Sequence, residues 1–147
     1  MKRSIGRYVS ILHRQSQIYI NHVLKPYNIT CAEYAFLLSL YRENGMSQHS
    51  LSSYLYIDKA ATARAIKSLE EKGYVTRKSD EKDKRYKYVY LTDEALEIKD
   101  EVIDRIVKWS TFLTDDLDEE TLDTLYDSLE HMIDKVENTE LRKALEE

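Results

Sequence analysis

Residues 57–91 read IDKAATARAIKSLEEKGYVTRKSDEKDKRYKYVYL, and this stretch decides the fold. It carries a helix, a stop, a strand, a charged turn and a second strand. Asp58 is placed to cap the helix, its carboxylate accepting from the free N–H groups of the first turn. Ala60, Ala61, Ala63 and Ala65 are strong helix formers with small side chains. Ile66 and Leu69 lie three apart on one face, while Lys59, Arg64 and Lys67 carry charge elsewhere. Gly73 supplies a left-handed stop. Tyr74–Lys78 and Lys87–Leu91 are rich in β-branched and aromatic residues and read as strands. The polar, charged SDEKDKRY between them suits a hairpin tip. A cationic helix followed by a basic hairpin makes a winged helix, whose helix fits the DNA major groove while the hairpin reaches the adjacent backbone or minor groove.

At 147 residues the chain is expected to form a single domain, 1–147, with a real core. Three glycines and one proline favour long helices over many turns. Charge is segregated along the chain. Residues 1–57 hold six basic and two acidic residues, net +4; residues 58–91 hold ten and six, again +4; residues 92–147 hold six and nineteen, net −13. The net charge of −5 therefore hides a basic front behind an acidic end. Cys31 is alone, so no intrachain disulfide is possible. The apolar run from Ile5 to Leu24 is interrupted by Arg7, His13, Arg14, Gln15 and Asn21, which excludes a lipid-facing span. No signal peptide is visible, and a soluble, cytoplasmic protein is expected.

Outward from the central stretch, Ser4–Lys25 reads as a first helix, with apolar residues on more than one side, ended by Pro26. Thr30-Cys-Ala-Glu33 matches a capping box and opens a helix from Cys31 to about Glu43, presenting Tyr34, Leu37, Leu38 and Tyr41 to a core. Asn44-Gly45 closes it. Ser47 caps a short helix with Leu51, Tyr54 and Leu55, and Ile57 bridges to Asp58. A short helix, a tight turn and a longer basic helix make a helix-turn-helix. After the hairpin, one helix is expected from Thr92 to about Thr114, and another from Asp116 or Asp118 through Val136. The final ELRKALEE is expected to fray. Two long amphipathic helices after a winged helix suit an intermolecular bundle with the first helix; the alternative is a helical hairpin folded on its own subunit.

The motifs I-T-x-x-E (29–33), G-M-S-Q (45–48), L-Y-I-D-K (55–59), R-x-I-K-S-L-E-E-K-G-Y-V (64–75), D-x-x-D-K-R (80–85) and V-Y-L-T-D (89–93) follow one another in an order and spacing that resembles the MarR (multiple antibiotic resistance regulator) family of bacterial transcription factors. The resemblance implies a mainly α fold with a small β-hairpin wing: a winged helix-turn-helix lobe over 30–92, and dimerisation helices over 1–28 and 93–147. It implies a homodimer on a pseudopalindromic double-stranded DNA operator, acting as a repressor released by a small-molecule effector. The alternatives are a constitutive DNA binder and a helical protein–protein interaction module.

On that resemblance Arg64 matches the basic residue of the recognition helix that addresses a guanine edge or a phosphate; pairing with Glu71 or Asp58 is the alternative. Lys59 and Lys67 are phosphate contacts or solvated charge. Where the family often has Ser or Thr, this chain has Ala60, Ala61 and Ala63, and Thr62 alone keeps a hydroxyl. Asp83 and Arg85 match the wing signature, in which the acid orients an arginine aimed at the minor groove, with Lys82 and Lys84 adding phosphate attraction. The alternative is a loose charged loop. Ser47 and Gln48 start the preceding helix and could touch phosphate, although Ser47 serves equally as a plain cap.

His13, His22, His49 and His131 show no metal-ligand spacing, and no cofactor is expected. No nucleophile–base set, paired carboxylates or phosphate-cradling glycine loop stands out, so no enzymatic activity is expected. The family's ligand crevice opens between the first long helices and the one after the wing. Tyr8, His13, Tyr19, Tyr34 and Tyr41 are candidates to line a pocket there for a small aromatic or amphipathic effector; a tyrosine-rich core and dimer interface is the alternative.

Overall fold

The computed structural model of the protein describes residues 2–137. The chain divides into two compact units, Met1–Trp109 and Ser110–Glu147. In the first, α1 (Ile5–Val23) passes through Leu24 into a 3-10 turn at Lys25–Tyr27, with Pro26 inside it and Asn28 in a left-handed conformation at its end. There follow α2 (Tyr34–Arg42), α3 (Gln48–Leu55), α4 (Lys59–Glu71), β1 (Val75–Ser79), β2 (Lys87–Leu91), α5 (Asp93–Glu97) and α6 (Lys99–Thr114), which crosses into the second unit. The fold is mainly α with a two-stranded antiparallel hairpin, paired from Val75–Leu91 to Ser79–Lys87. The second unit contains α7 (Glu119–Glu137).

The caps lie where hydroxyls and carboxylates precede helices. Ser47 Oγ accepts from the Ser50 N–H at 3.0 Å, Asp58 Oδ1 from Ala61 at 2.7 Å, Thr92 Oγ1 from Ala95 at 3.3 Å and Asp118 Oδ1 from Thr121 at 2.7 Å. Two expectations are corrected. The capping box at Thr30–Glu33 does not form. The Thr30 hydroxyl donates to Glu33 Oε1, the Glu33 carboxylate is turned to Lys72, and α2 starts at Tyr34. The charge of a buried carboxylate is better compensated by an ammonium group than by backbone N–H groups that water could also satisfy. The helix expected from Thr92 to Thr114 is broken at Ile98. A continuous helix would pair the Ala95 carbonyl with the Lys99 N–H; here that carbonyl accepts from the Tyr41 hydroxyl at 2.5 Å. The expected fraying of 140–147 lies outside the described residues.

Two apolar clusters hold the first unit. Phe36, Leu40, Leu51, Ala65, Ile66, Leu69, Val75 and Val89 join α2, α3, α4 and the hairpin. Ile20, Leu24, Ile29, Leu37, Ala95 and Val102 join α1, α2, α5 and α6. The α2 helix thus buries Phe36 and Leu40 on one side and Leu37 on another. The expected face of Tyr34, Leu37, Leu38 and Tyr41 accounts for just one of these. On α1, Ile20 is buried, whereas Ile5, Tyr8, Val9, Leu12 and Ile18 are exposed. On α7, Leu125, Tyr126, Leu129, Met132, Ile133 and Val136 are exposed.

The turn after α2 is bound to the hairpin. The Gly45 N–H donates to the Val89 carbonyl at 3.0 Å, the Val89 N–H to the Met46 carbonyl at 2.9 Å, and the Leu91 N–H to Asn44 Oδ1 at 2.9 Å. Gly45 has φ +86°, and a Cβ there would lie 2.9 Å from the Tyr90 ring. Gly45→Ala is therefore expected to cost about 1–2 kcal/mol from the left-handed backbone alone, read as a lower urea midpoint at unchanged slope. An unchanged midpoint would contradict this turn geometry.

Candidate nucleic-acid interface

The α4 helix divides cleanly. Thr62, Ala65, Ile66 and Leu69 are buried, while Lys59, Ala60, Arg64 and Lys67 are exposed. Spacings of four and three place Ala60, Arg64 and Lys67 on one face. Among the described residues Arg64 makes no ion pair. Asp58, one alternative partner, instead uses its carboxylate as the helix cap. The alanines keep this face low, so a surface brought to it can approach the backbone.

The wing tip is an ordered turn. The Asp80 N–H donates to the Tyr86 carbonyl at 2.9 Å, the Lys82 N–H to Asp80 Oδ1 at 2.9 Å, and the Tyr86 N–H to the Asp83 carbonyl at 3.0 Å. Arg85 and Asp83 meet fork to fork, Nε to Oδ1 at 2.9 Å and Nη2 to Oδ2 at 2.7 Å. The Arg85 side chain is nonetheless 87% exposed. Its partner orients the guanidinium without covering it. The Arg85 bonds hold the Asp83 carboxyl below its ordinary range, and Asp83 in turn raises Arg85. Lys82 and Lys84 stand exposed beside them.

A cleft of about 510 Å³ joins the two parts. Gln48 and His49 of α3, Lys59 and Thr62 of α4, and Arg85, Tyr86 and Lys87 of the wing line it. No acidic residue is in that lining. His49, Tyr86 and Lys87 were not among the sequence candidates. Each is unremarkable in its own element, and the signal is the bridge between Ser47 and Tyr88, a long-range pairing that spacing does not reveal. Gln48 Oε1 is buried with no hydrogen-bond partner among the described residues.

Two candidates are turned inward, one of them to the cap that was its alternative reading. Thr62 is 1% exposed and its hydroxyl donates to the Asp58 carbonyl at 2.9 Å, so it lies in the cleft lining with its hydroxyl already engaged. Ser47 is 9% exposed and its hydroxyl caps α3. Of the five pocket candidates, Tyr19, Tyr34 and Tyr41 pack against the second apolar cluster, as the core alternative has it, and Tyr8 and His13 do not. Tyr8 and His13 are exposed on α1, and Tyr34 packs at the second apolar cluster beside Cys31, its phenol pushed up chiefly by burial. Tyr41, also raised by burial, donates to Ala95. Tyr19 donates to the Arg105 carbonyl at 2.8 Å, stacks on Trp109 with centroids 5.0 Å apart, and lines a cleft of about 370 Å³ with Val23, Glu101, Asp104, Arg105 and Lys108.

The MarR family model matches residues 29–87. A MarR transcriptional regulator from Methanosarcina mazei Go1 is 40% identical, with 89% of this chain and 94% of that one covered and a TM-score of 0.82. The chain belongs to the MarR family of transcriptional regulators. The MarR protein from Peptoclostridium difficile DA00132 is 29% identical, at TM-score 0.89 over 94% of this chain and 90% of that one. The uncharacterized HTH-type transcriptional regulator YwoH of Bacillus subtilis (strain 168) is 34% identical over 100 residues, 68% of this chain and 72% of YwoH. The hairpin of this MarR protein is thus the wing of a winged helix-turn-helix. Among its described residues no helix is long and apolar enough to cross a membrane, and no three His, Cys, Asp or Glu residues are grouped to hold a metal ion.

A titration tests the wing of this regulator. A carboxylate with a depressed folded pKa contributes order that is present above its unfolded value and lost as pH falls through the folded one. The Asp83 carboxyl resonance is expected to titrate below the ordinary 3.8. Arg85→Ala should raise it towards that value, short of it because the backbone N–H of residue 85 still donates to Asp83. A wild-type midpoint at or above it would mean that the fork is not formed in solution.

Proposed function

We propose that this regulator is a cytoplasmic homodimer that binds double-stranded DNA sequence-specifically and represses transcription by occupying its operator. In this reading α4 enters the major groove and Arg85 the adjacent minor groove. The observation that carries it is the acid-free cleft, where the start of α4 and the oriented wing arginine border one surface. Arg64 addresses a base edge, and Lys59, Lys67, Lys82 and Lys84 meet phosphates. Gln48 lies at the mouth of the same surface. The lobe over 30–92 reads, and 1–28 with 93–147 dimerise. The exposed apolar residues along α1 and, separately, along α7 support that division, because each helix leaves several large apolar side chains in water that a partner would cover. Two lobes then engage half-sites about 34–36 Å apart on a pseudopalindrome.

Release by a small aromatic or amphipathic effector is a second reading. It is favoured by the cleft that Tyr19 and Val23 line together with Glu101, Asp104, Arg105 and Lys108.

Arg64→Ala is expected to lose about 1–3 kcal/mol of discrimination at one base position. Arg85→Ala should weaken binding and flatten the dependence of log affinity on log salt. Both are measured by mobility shift on fragments that the wild-type protein selects from genomic DNA. If both variants bind those fragments as wild type does, the site assignment fails; a monomer at micromolar concentration by sedimentation would remove the two-lobe mechanism.

A further inference from the structure

Glu33 is 4% exposed, and its carboxylate gathers four donated hydrogen bonds. Lys72 Nζ donates to both oxygens, at 2.7 and 2.9 Å, while Ser68 Oγ at 3.1 Å and Thr30 Oγ1 at 3.2 Å donate to Oε1. The partners come from two places. Thr30 and Glu33 belong to the turn that leads from the 3-10 turn into α2; Ser68 and Lys72 are the last turn and the C-cap of α4. A second tie lies beside the first. The Tyr74 hydroxyl, just past α4, donates to the Tyr27 carbonyl at 2.5 Å. The 3-10 turn is itself bound to α6: the Tyr27 hydroxyl donates to Glu101, and Arg105 lies 5.4 Å from the Tyr27 ring centroid and donates to the Val23 carbonyl at 3.3 Å. The rear end of α4 is thus clamped to the α1–α6 junction, and its front end is left to the cationic cleft.

Packing alone does not call for an ion pair here. A buried pair loses hydration that apolar side chains of similar volume would not lose, and its best-attested use is to specify one arrangement over others. We infer that Glu33 is a positioning residue for DNA reading: with Lys72 it sets the angle of α4 against the α1–α6 junction, and thereby the half-site spacing the dimer accepts. This rests on the proposal that α4 is the DNA-contacting helix of a dimer. The lever is long enough. The 13 residues of α4 span about 20 Å at roughly 1.5 Å per residue. A pivot of roughly 10° at the clamp moves the first turn by about 3 Å, close to the rise of about 3.4 Å per base pair.

The test uses operator fragments selected by the wild-type full-length protein, with the spacer between half-sites changed in single base-pair steps, and a single half-site as control. Glu33→Gln is expected to weaken binding at the native spacing about ten-fold or more, to change single-half-site binding less than about two-fold, and to move or broaden the spacing optimum by one base pair. Ser68→Ala, which keeps the ion pair, should shift the profile in the same direction by less and serves if Glu33→Gln does not fold. The Glu33→Gln/Lys72→Met double variant should lose less than the sum of its parts. Equal loss on single and paired half-sites, or an unchanged spacing profile in folded variants, overturns the inference. Wild-type protein that binds no fragment with two half-sites overturns the underlying DNA reading instead.

Discussion

The α2 helix is buried on two sides at once, with Phe36 and Leu40 in one apolar cluster and Leu37 in the other. The rest of the first unit depends on that double burial. One cluster fixes α3, α4 and the hairpin against α2, and the other fixes α1, α5 and the start of α6 against it. Close packing transmits displacement poorly absorbed by soft contacts, so neither group can shift without disturbing α2. Leu91 and Tyr74 touch both clusters and close the gap between them. The α4 helix is therefore held through α2 by a second core to which it contributes no buried residue.

Electrostatics then act on a frame already set. The cations of α4 and the wing border a cleft without acids in its lining, while nineteen of the chain's twenty-seven acidic residues fall after Thr92. Inside the frame Glu33 is paired with Lys72, and nearer the surface Glu70 is paired with Arg77 at 2.9 Å, whose bond lowers the Glu70 carboxyl. At the rim they are oriented and left open. The Asp83–Arg85 fork is the clearest instance, since an exposed pair of this kind contributes little to stability and its effect is to hold a direction.

The apolar residues of α1 and α7 have a different status. In a single chain they meet water, and their stripes at three-to-four spacing resemble the seam of a helical bundle. Their exposure is the observation behind the proposal that these helices meet a second subunit.

Much was legible in the residues. Asp58, Gly73 and the paired β-rich runs announce the helix, the stop and the hairpin because each is a local effect: a carboxylate for orphan N–H groups, a residue tolerant of φ +86°, and side chains suited to a pleat. The family resemblance, carried by D-x-R at 83–85, implied the fork that closes there over two residues. What lay beyond local reach was every choice of long-range partner. Glu33 matched a capping box, yet it bonds Lys72, 39 residues away. Thr62 looked like a free hydroxyl but faces inward. The break at Ile98 comes where the Tyr41 hydroxyl takes the Ala95 carbonyl, 54 residues apart in sequence. Sequence by itself determined most of the elements, the caps at Ser47, Asp58, Thr92 and Asp118, and the sign of their charge, because those arise within one or two turns. Tertiary structure decided which polar group answers which, because a buried donor or acceptor is satisfied by whatever the folded chain brings within 3 Å, and spacing along the chain does not encode that.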